Sequence, residues 1–205
     1  MVVCRAGVPI SRSFWPFEPK RLFAREKFAP DKERKIMRIR PEKPEEFPYL
    51  YDFVQTAFAT AKVSDGSEAD FVNVLREGVN YIPELARVAE ADGKIIGHIM
   101  FTRTYLSVPG KRFEALLLAP VAVALKERGR GVGSALIEEG MNRAKAMGFS
   151  SVFLVGDPDY YSRFGFHPVT SYGIRHNSEI PDQYIMAKAL VPGALDGIDG
   201  TINII

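Results

Sequence analysis

The chain has 205 residues, 46% hydrophobic and 25% charged. A chain of this length buries about 70% of its unfolded surface without disulfides or a structural metal; lone Cys4 excludes a disulfide framework or Cys-rich zinc site, and His98, His167 and His176 are too scattered for a metal cluster. No apolar run approaches the roughly 18 residues that span a bilayer, and the net charge of +2 divides into nine Lys/Arg against four Asp/Glu over residues 1–36 but 18 against 21 afterwards, which argues against a nucleic-acid binder with a basic folded face.

Residues 1–36 carry Pro9, Pro16, Pro19 and Pro30 among basic residues, with no sustained period of 2 or 3.6, and read as a poorly ordered basic arm. Pro9, Ser11, Arg12 and Pro16 interrupt any secretory signal, and Glu18, Glu26, Asp31 and Glu33 are wrong for a mitochondrial-type presequence. Met37 stands as an alternative natural start, with a folded domain over 37–205. The lone cysteine fits a reducing, cytoplasmic compartment.

Met37–Pro41 reads as extended. Phe47, Leu50, Tyr51, Val54, Ala57 and Phe58 recur at spacings of three and four and predict a helix over 45–59; a weaker repeat, Phe71, Val74 and Leu75, predicts a second over 67–78. Leu85–Glu90 and Lys94–Tyr105 read as strands joined by the hairpin turn Asp92-Gly93, and Val108-Pro109-Gly110 leads to a third strand, Phe113–Val123. A charged, glycine-rich loop follows, then a helix ending near Gly148, a short strand Ser151–Val155, a short helix from Pro158 to Phe164 and a last strand Gln183–Leu190. This order predicts a mixed α/β (α+β) sheet with helices on both faces.

Arg128-Gly129-Arg130-Gly131-Val132-Gly133 lies between a strand and a helix. Its backbone amides and those of the first helical turn converge on a site suited to phosphate oxygens, and glycine permits close approach. Arg128 and Arg130 add charge suited to a pyrophosphate. A P-loop is excluded because no lysine precedes Ser134. A dinucleotide fingerprint is a minor alternative: Gly129 and Gly131 supply G-x-G and Asp157 a candidate ribose ligand, but Ser134 stands at the third glycine position and hairpins precede the loop.

Arg128-x-x-Gly131-x-Gly133 after Val121-Ala122-Val123, with Tyr161-Ser162-Arg163-Phe164-Gly165-Phe166 after the following strand, resembles the GNAT superfamily of N-acyltransferases; Gly156-Asp157-Pro158-x-Tyr160-Tyr161 is similar to a subgroup of small bacterial acetyltransferases. The resemblance covers about 165 residues, without the arm. It implies a central, mostly antiparallel sheet splayed between the fourth and fifth strands, acetyl-CoA as acyl donor, no metal, and an amine of a small molecule or peptide as acceptor. It implies that the amides from Arg128 to Ser134 hold the pyrophosphate and that Val121, Ala122 and Val123 pair with the pantetheine arm, with Pro120 near the splay; Asp157 and Tyr160 join the coenzyme-contacting set.

The same resemblance implies direct attack of a neutral amine on the thioester through a tetrahedral oxyanion, stabilised by a strand amide near Val121, with Tyr161 as general acid to the leaving thiolate. The family's glutamate base falls on Leu117, a departure from the pattern. Glu114 is the substitute candidate, His98 a candidate relay, and water the remaining option; Glu84 and Glu90 cannot be ranked. The segment 59–81 is expected to set acceptor choice; beside Lys62 it carries three acids, Asp65, Glu68 and Asp70, that mildly favour a cationic acceptor. Phe164 and Phe166 read as core, and His167 and His176 as structural. A non-catalytic acyl-CoA-binding module is the alternative function, and the oligomeric state is left open between monomer and homodimer.

Overall fold

Along the third strand the side chains alternate between two buried environments, and that alternation sets the layers of the fold. The computed structural model describes residues 36–60 and 66–203. The elements in chain order are β1 (Arg38–Pro41), α1 (Phe47–Phe58), α2 (Glu68–Glu77), β2 (Ala86–Ala91), β3 (Lys94–Val108), β4 (Lys111–Val123), α3 (Val132–Ala146), β5 (Ser151–Val155), α4 (Pro158–Tyr161), β6 (His167–Pro168), β7 (Arg175–His176), β8 (Ile185–Ala189) and β9 (Thr201–Ile202). Residues 1–35 of the arm, Cys4 among them, together with Lys62 and Asp65, lie outside the described residues.

Strands β1 to β4 form an antiparallel meander, and the sheet continues through β5, β8 and β6. The β2–β3 turn has Asp92 at φ 52 and Gly93 at φ 70, two successive left-handed residues that match the twist of the flanking strands. Ile99 and Phe101 join the core built on α3, whereas Met100 packs with α1 and α2 residues such as Phe53, Val54 and Val72. Helices therefore cover both faces. Close approach of α3 depends on small residues: a Cβ on Gly140 would lie 2.3 Å from Phe101, and one on Gly97 2.8 Å from Leu136.

Two predicted faces need revision. Helix α1 also buries Phe53, and the buried apolar side of α2 is Ala69 and Val72, while predicted Val74 is 64% exposed. The strands β6, β7 and β9 are two residues each, too short to show periodicity, and β9 pairs with the far end of β3 at Leu106 and Ser107. Phe164 and Phe166 are core as expected. His176 bonds Asp182 at 3.1 Å, and His167 lies in β6 against β8.

Between β1 and α1, Glu42 is buried and fully engaged. His98 Nε2 lies 2.7 Å from Glu42 Oε2, Arg76 reaches both carboxylate oxygens at 2.9 and 3.1 Å, and the Tyr81 hydroxyl donates to Oε1 at 2.9 Å. Arg76 also stacks 4.0 Å over the Phe47 ring and donates to Asn73. The cluster ties the end of β1, α1, α2, the segment before β2, and β3 to one buried charge. Burial by itself would raise the Glu42 carboxyl, but hydrogen bonds from His98 and Arg76 outweigh it and hold the group at about 2.

Because this folded value is below that of an unfolded carboxylate, Glu42 stabilises the fold above about pH 4.5, and that contribution is lost as pH falls toward 2. Glu42→Gln leaves buried Arg76 without its carboxylate and is expected to cost about 3–5 kcal/mol at neutral pH. Denaturant unfolding of both proteins between pH 7 and 2 checks this: the difference should narrow below pH 4.5, and a constant difference contradicts it.

Candidate active site

The cleft begins where β4 and β5 part. They pair in parallel at only Leu116↔Val152 and Leu117↔Phe153, so β4 from Leu118 onward has no partner on its β5 side. A β-bulge accompanies the separation. Ile99 faces Val121 and Phe101 faces Leu118, so β4 holds one extra residue around Ala119-Pro120. That insertion resets the alternation. Val121 and Val123 pack against the α3 core, as Leu116 and Leu118 do, while Ala122 joins the α1/α2 cluster. Proline fits this point because its missing N–H removes no ladder bond from a regular pair.

The cleft has a volume of about 660 Å³ and is walled by β4, the glycine loop, the start of α3, α4, and Ala57 and Phe58 at the end of α1. Gly129 (φ 73) and Gly131 (φ 83) are left-handed, a conformation that disfavours any Cβ. Gly133 is required by space instead: its Cβ would lie 2.8 Å from the Tyr160 hydroxyl. Gly131 caps α3 without a side-chain hydrogen bond, so the first-turn amides have no side-chain cap. They add to the positive end of the helix dipole.

The two arginines of the loop are placed differently from each other, Arg128 in the cleft wall and Arg130 outside it. Arg128 donates to the Ala57 carbonyl, to Thr60 Oγ1 at 3.0 Å and to the Val123 carbonyl at 3.4 Å, so it ties the loop to the C-terminal turn of α1. Arg130 pairs with Glu127 at 3.0 Å, is 63% exposed and is not part of the cleft wall. Of the predicted coenzyme-contacting residues, all but Arg130 line the cleft, Arg128 and Gly131 included. Asp157 has a local task as well, accepting from the Asp159 amide at 3.0 Å as the N-cap of α4.

Tyr161 also lines the cleft. Its ring meets Tyr160 edge-on at 4.9 Å and Phe166 edge-on at 5.9 Å, and burial pushes its phenol up, so it stays protonated at neutral pH. Gly156 leaves the room it occupies: a Cβ there would lie 2.3 Å from the ring. Arg163, which the sequence reading passed over, lies in the cleft wall 4.1 Å over the Tyr160 ring. Its position two residues after Tyr161 was the available signal.

The proposed base is not brought here. Glu114, opposite Tyr105 on the stretch of β4 that precedes its pairing with β5, pairs with Arg103 at 3.1 Å and is about half exposed. Seven residues of strand separate it from Val121, about 23 Å at ordinary strand rise. Leu117 stands at the last β4–β5 pair, where the departure from the family pattern leaves no carboxylate. His98 is the hydrogen-bonded sheet histidine, its Nε2 committed to Glu42. Glu84 and Glu90 are outside the cleft wall, and Glu90 bonds Arg40 at 2.8 Å. Among the described residues, no group of His, Cys, Asp and Glu has an arrangement able to hold a metal ion.

A mixed sheet that parts over a glycine loop, with a half-buried phenol beside the opening, defines an N-acyltransferase type of α/β protein. The comparisons agree: residues 38–169 match the family described as acetyltransferase (GNAT) domain, and the chain belongs to that family. It is 30% identical over 168 residues to the uncharacterized N-acetyltransferase YhbS of Escherichia coli K12, covering 82% of this chain and 95% of that protein. It is 41% identical over 103 residues to YjhQ of the same organism, covering 49% of this chain and 56% of that one, so the chain matches about half the length of that relative. The crystal structure of E. coli YhbS in complex with CoA superposes with a TM-score of 0.72 at 28% identity, covering 83% of this chain and 91% of that one. A GNAT family acetyltransferase from Brucella melitensis in complex with acetyl-CoA gives 0.67 at 28% identity, covering 83% and 97%.

Gly156→Ala drives a methyl group into the Tyr161 ring, and the expected cost is about 1–3 kcal/mol of overpacking. Denaturant titration measures the loss, and near-ultraviolet circular dichroism should change with the tyrosine packing; an unaltered spectrum and midpoint would show that the ring is not held there.

Proposed function

We propose that the protein is an acetyl-CoA-dependent N-acetyltransferase acting on a primary amine of a small molecule or peptide, with residues 37–205 as its catalytic domain and a cytoplasmic site of action. One observation carries the reading: the unpaired edge of β4 runs from Leu118 toward the uncapped amides of α3, and Tyr161 lines the cleft they share. The coenzyme supplies an activated thioester. The complexes of the two similar proteins with CoA and acetyl-CoA support the same ligand here.

In this reading the amides from Gly129 to Ser134 hold the diphosphate. The free β4 edge over Val121–Val123 takes hydrogen bonds from the amide-bearing arm, and a β4 amide near Val121 faces the charge that develops on the thioester oxygen. Holding amine and thioester together replaces a bimolecular encounter with a local one. Tyr161 donates its phenolic proton to the departing thiolate sulfur, and the proton lost by the attacking amine returns to the phenolate through water. The buried surroundings that raise the phenol make its charged form costly, so the proton is restored promptly. Water is the assigned base because the cleft carboxylates already have partners, Glu127 with Arg130 and Asp157 with the Asp159 amide. The acceptor enters from the side of α1 and α2, where Ala57 and Phe58 form the wall.

Thiol release from acetyl-CoA across a panel of amines tests the proposal. Tyr161→Phe keeps the ring packing and removes the proton, so kcat should fall about 10²- to 10⁴-fold with little change in coenzyme affinity. An equal loss of coenzyme binding would assign Tyr161 to packing instead. Tight coenzyme binding without turnover over the whole panel would mark a binding module rather than an enzyme.

A further inference from the structure

Arg163 is a cleft cation whose hydrogen-bonding capacity is largely unspent. Arg128 is committed to α1 and the end of β4, and Arg130 to Glu127. Arg163 makes no ion pair among the described residues; its hydrogen bond there is a long one, from Nη2 to Ser134 Oγ at 3.4 Å. Its guanidinium carbon lies 4.1 Å from the Tyr160 ring centroid and 4.8 Å from that of Phe164. Stacking occupies the flat face of a guanidinium and leaves the donors around its edge available, in a fork that matches phosphate oxygens.

What that edge faces follows from Ser134. This residue is in the first turn of α3, beside Val132 and Gly133, and all three share the cleft wall with Arg163. The α3 amides attract an anion but carry only the partial charge of a helix terminus. Arg163 supplies a full charge from the α4 side of the same space. We propose that Arg163 is a phosphate ligand of the coenzyme, donating to its diphosphate while the glycine-loop and α3 amides hold the same group from the other wall. The assignment rests on the coenzyme reading of the cleft. It also gives the diphosphate a link to the chemistry, because Arg163 follows Tyr161 by two residues in the same turn: occupation of the phosphate site steadies the segment that carries the phenol.

Calorimetric titration with CoA and with dephospho-CoA, which lacks the 3′-phosphate but keeps the diphosphate, tests this in the full chain. Arg163→Ala should raise Kd for both ligands by a similar factor, about 10- to 100-fold, and flatten the salt dependence of binding. Arg163→Lys should recover part of the loss, since a lysine restores the charge without the fork. Because Arg163 is on the surface, unfolding of the ligand-free variants should match that of the unmodified protein. Unchanged affinities in Arg163→Ala overturn the assignment, as does a loss confined to CoA, which would place the contact at the 3′-phosphate. A loss with no change in salt dependence overturns it too, pointing to apolar cover. If the unmodified protein binds neither ligand, the coenzyme reading itself fails; if it binds both and the variants bind equally well, only the role of Arg163 fails.

Discussion

The site depends on a sheet that stops pairing partway along. β4 and β5 share two register positions and then separate, which exposes the edge of a strand inside the molecule. An unpaired strand edge is costly when buried and prone to wrong pairing when open. Here one extra residue around Ala119-Pro120 bends β4 at the point of separation and reverses the side-chain alternation beyond it. Without that insertion Val121 and Val123 would face α1 and α2. With it they join the α3 face, while Ala122 packs against α1. The opening, its lining and its outlet toward the glycine loop follow from this single irregularity.

The three loop glycines meet two separate requirements. Gly129 and Gly131 bend the backbone through left-handed conformations, and Gly133 keeps α3 clear of the Tyr160 hydroxyl. Arg128, in the cleft wall, acts as a strut, taking the Ala57 carbonyl at the negative end of α1. A guanidinium in that place stiffens one wall of the cleft. Residues at the motif's spacing thus serve folding and binding at once, and their type alone does not separate the two tasks.

Away from the cleft, Glu42 organises the helices on the opposite face. Its four oxygen contacts come from α2, β3 and the segment before β2, so a change at the carboxylate reaches all three. A buried charge is tolerated when it is fully satisfied, and removal of one member leaves the others stranded. The position of α1, whose last turn supplies Ala57 and Phe58 to the cleft and an anchor to Arg128, therefore depends on a polar cluster on the other side of the sheet from α3.

Much was legible from local pattern. Helical spacing found α1, α2 and α3, the Asp92-Gly93 turn fixed the β2–β3 hairpin, and the run from Arg128 to Gly133 together with Tyr161 and Gly165-Phe166 identified the family and pointed to the cleft. Those features are encoded within a few neighbouring residues, where backbone conformation and side-chain period leave a direct trace. Tertiary structure decided what depends on partners distant in sequence. Nothing local to Glu42 signals that it meets His98, 56 residues away, in a buried pair; the α1 carbonyl that Arg128 reaches lies 71 residues before it; and Glu114, on the strand that walls the cleft, is carried about 23 Å from Val121 by strand rise. Composition and spacing determined which chemistry the chain can hold, and the three-dimensional packing alone assigned each charge a partner, because electrostatic attraction acts through space and leaves no period in the sequence.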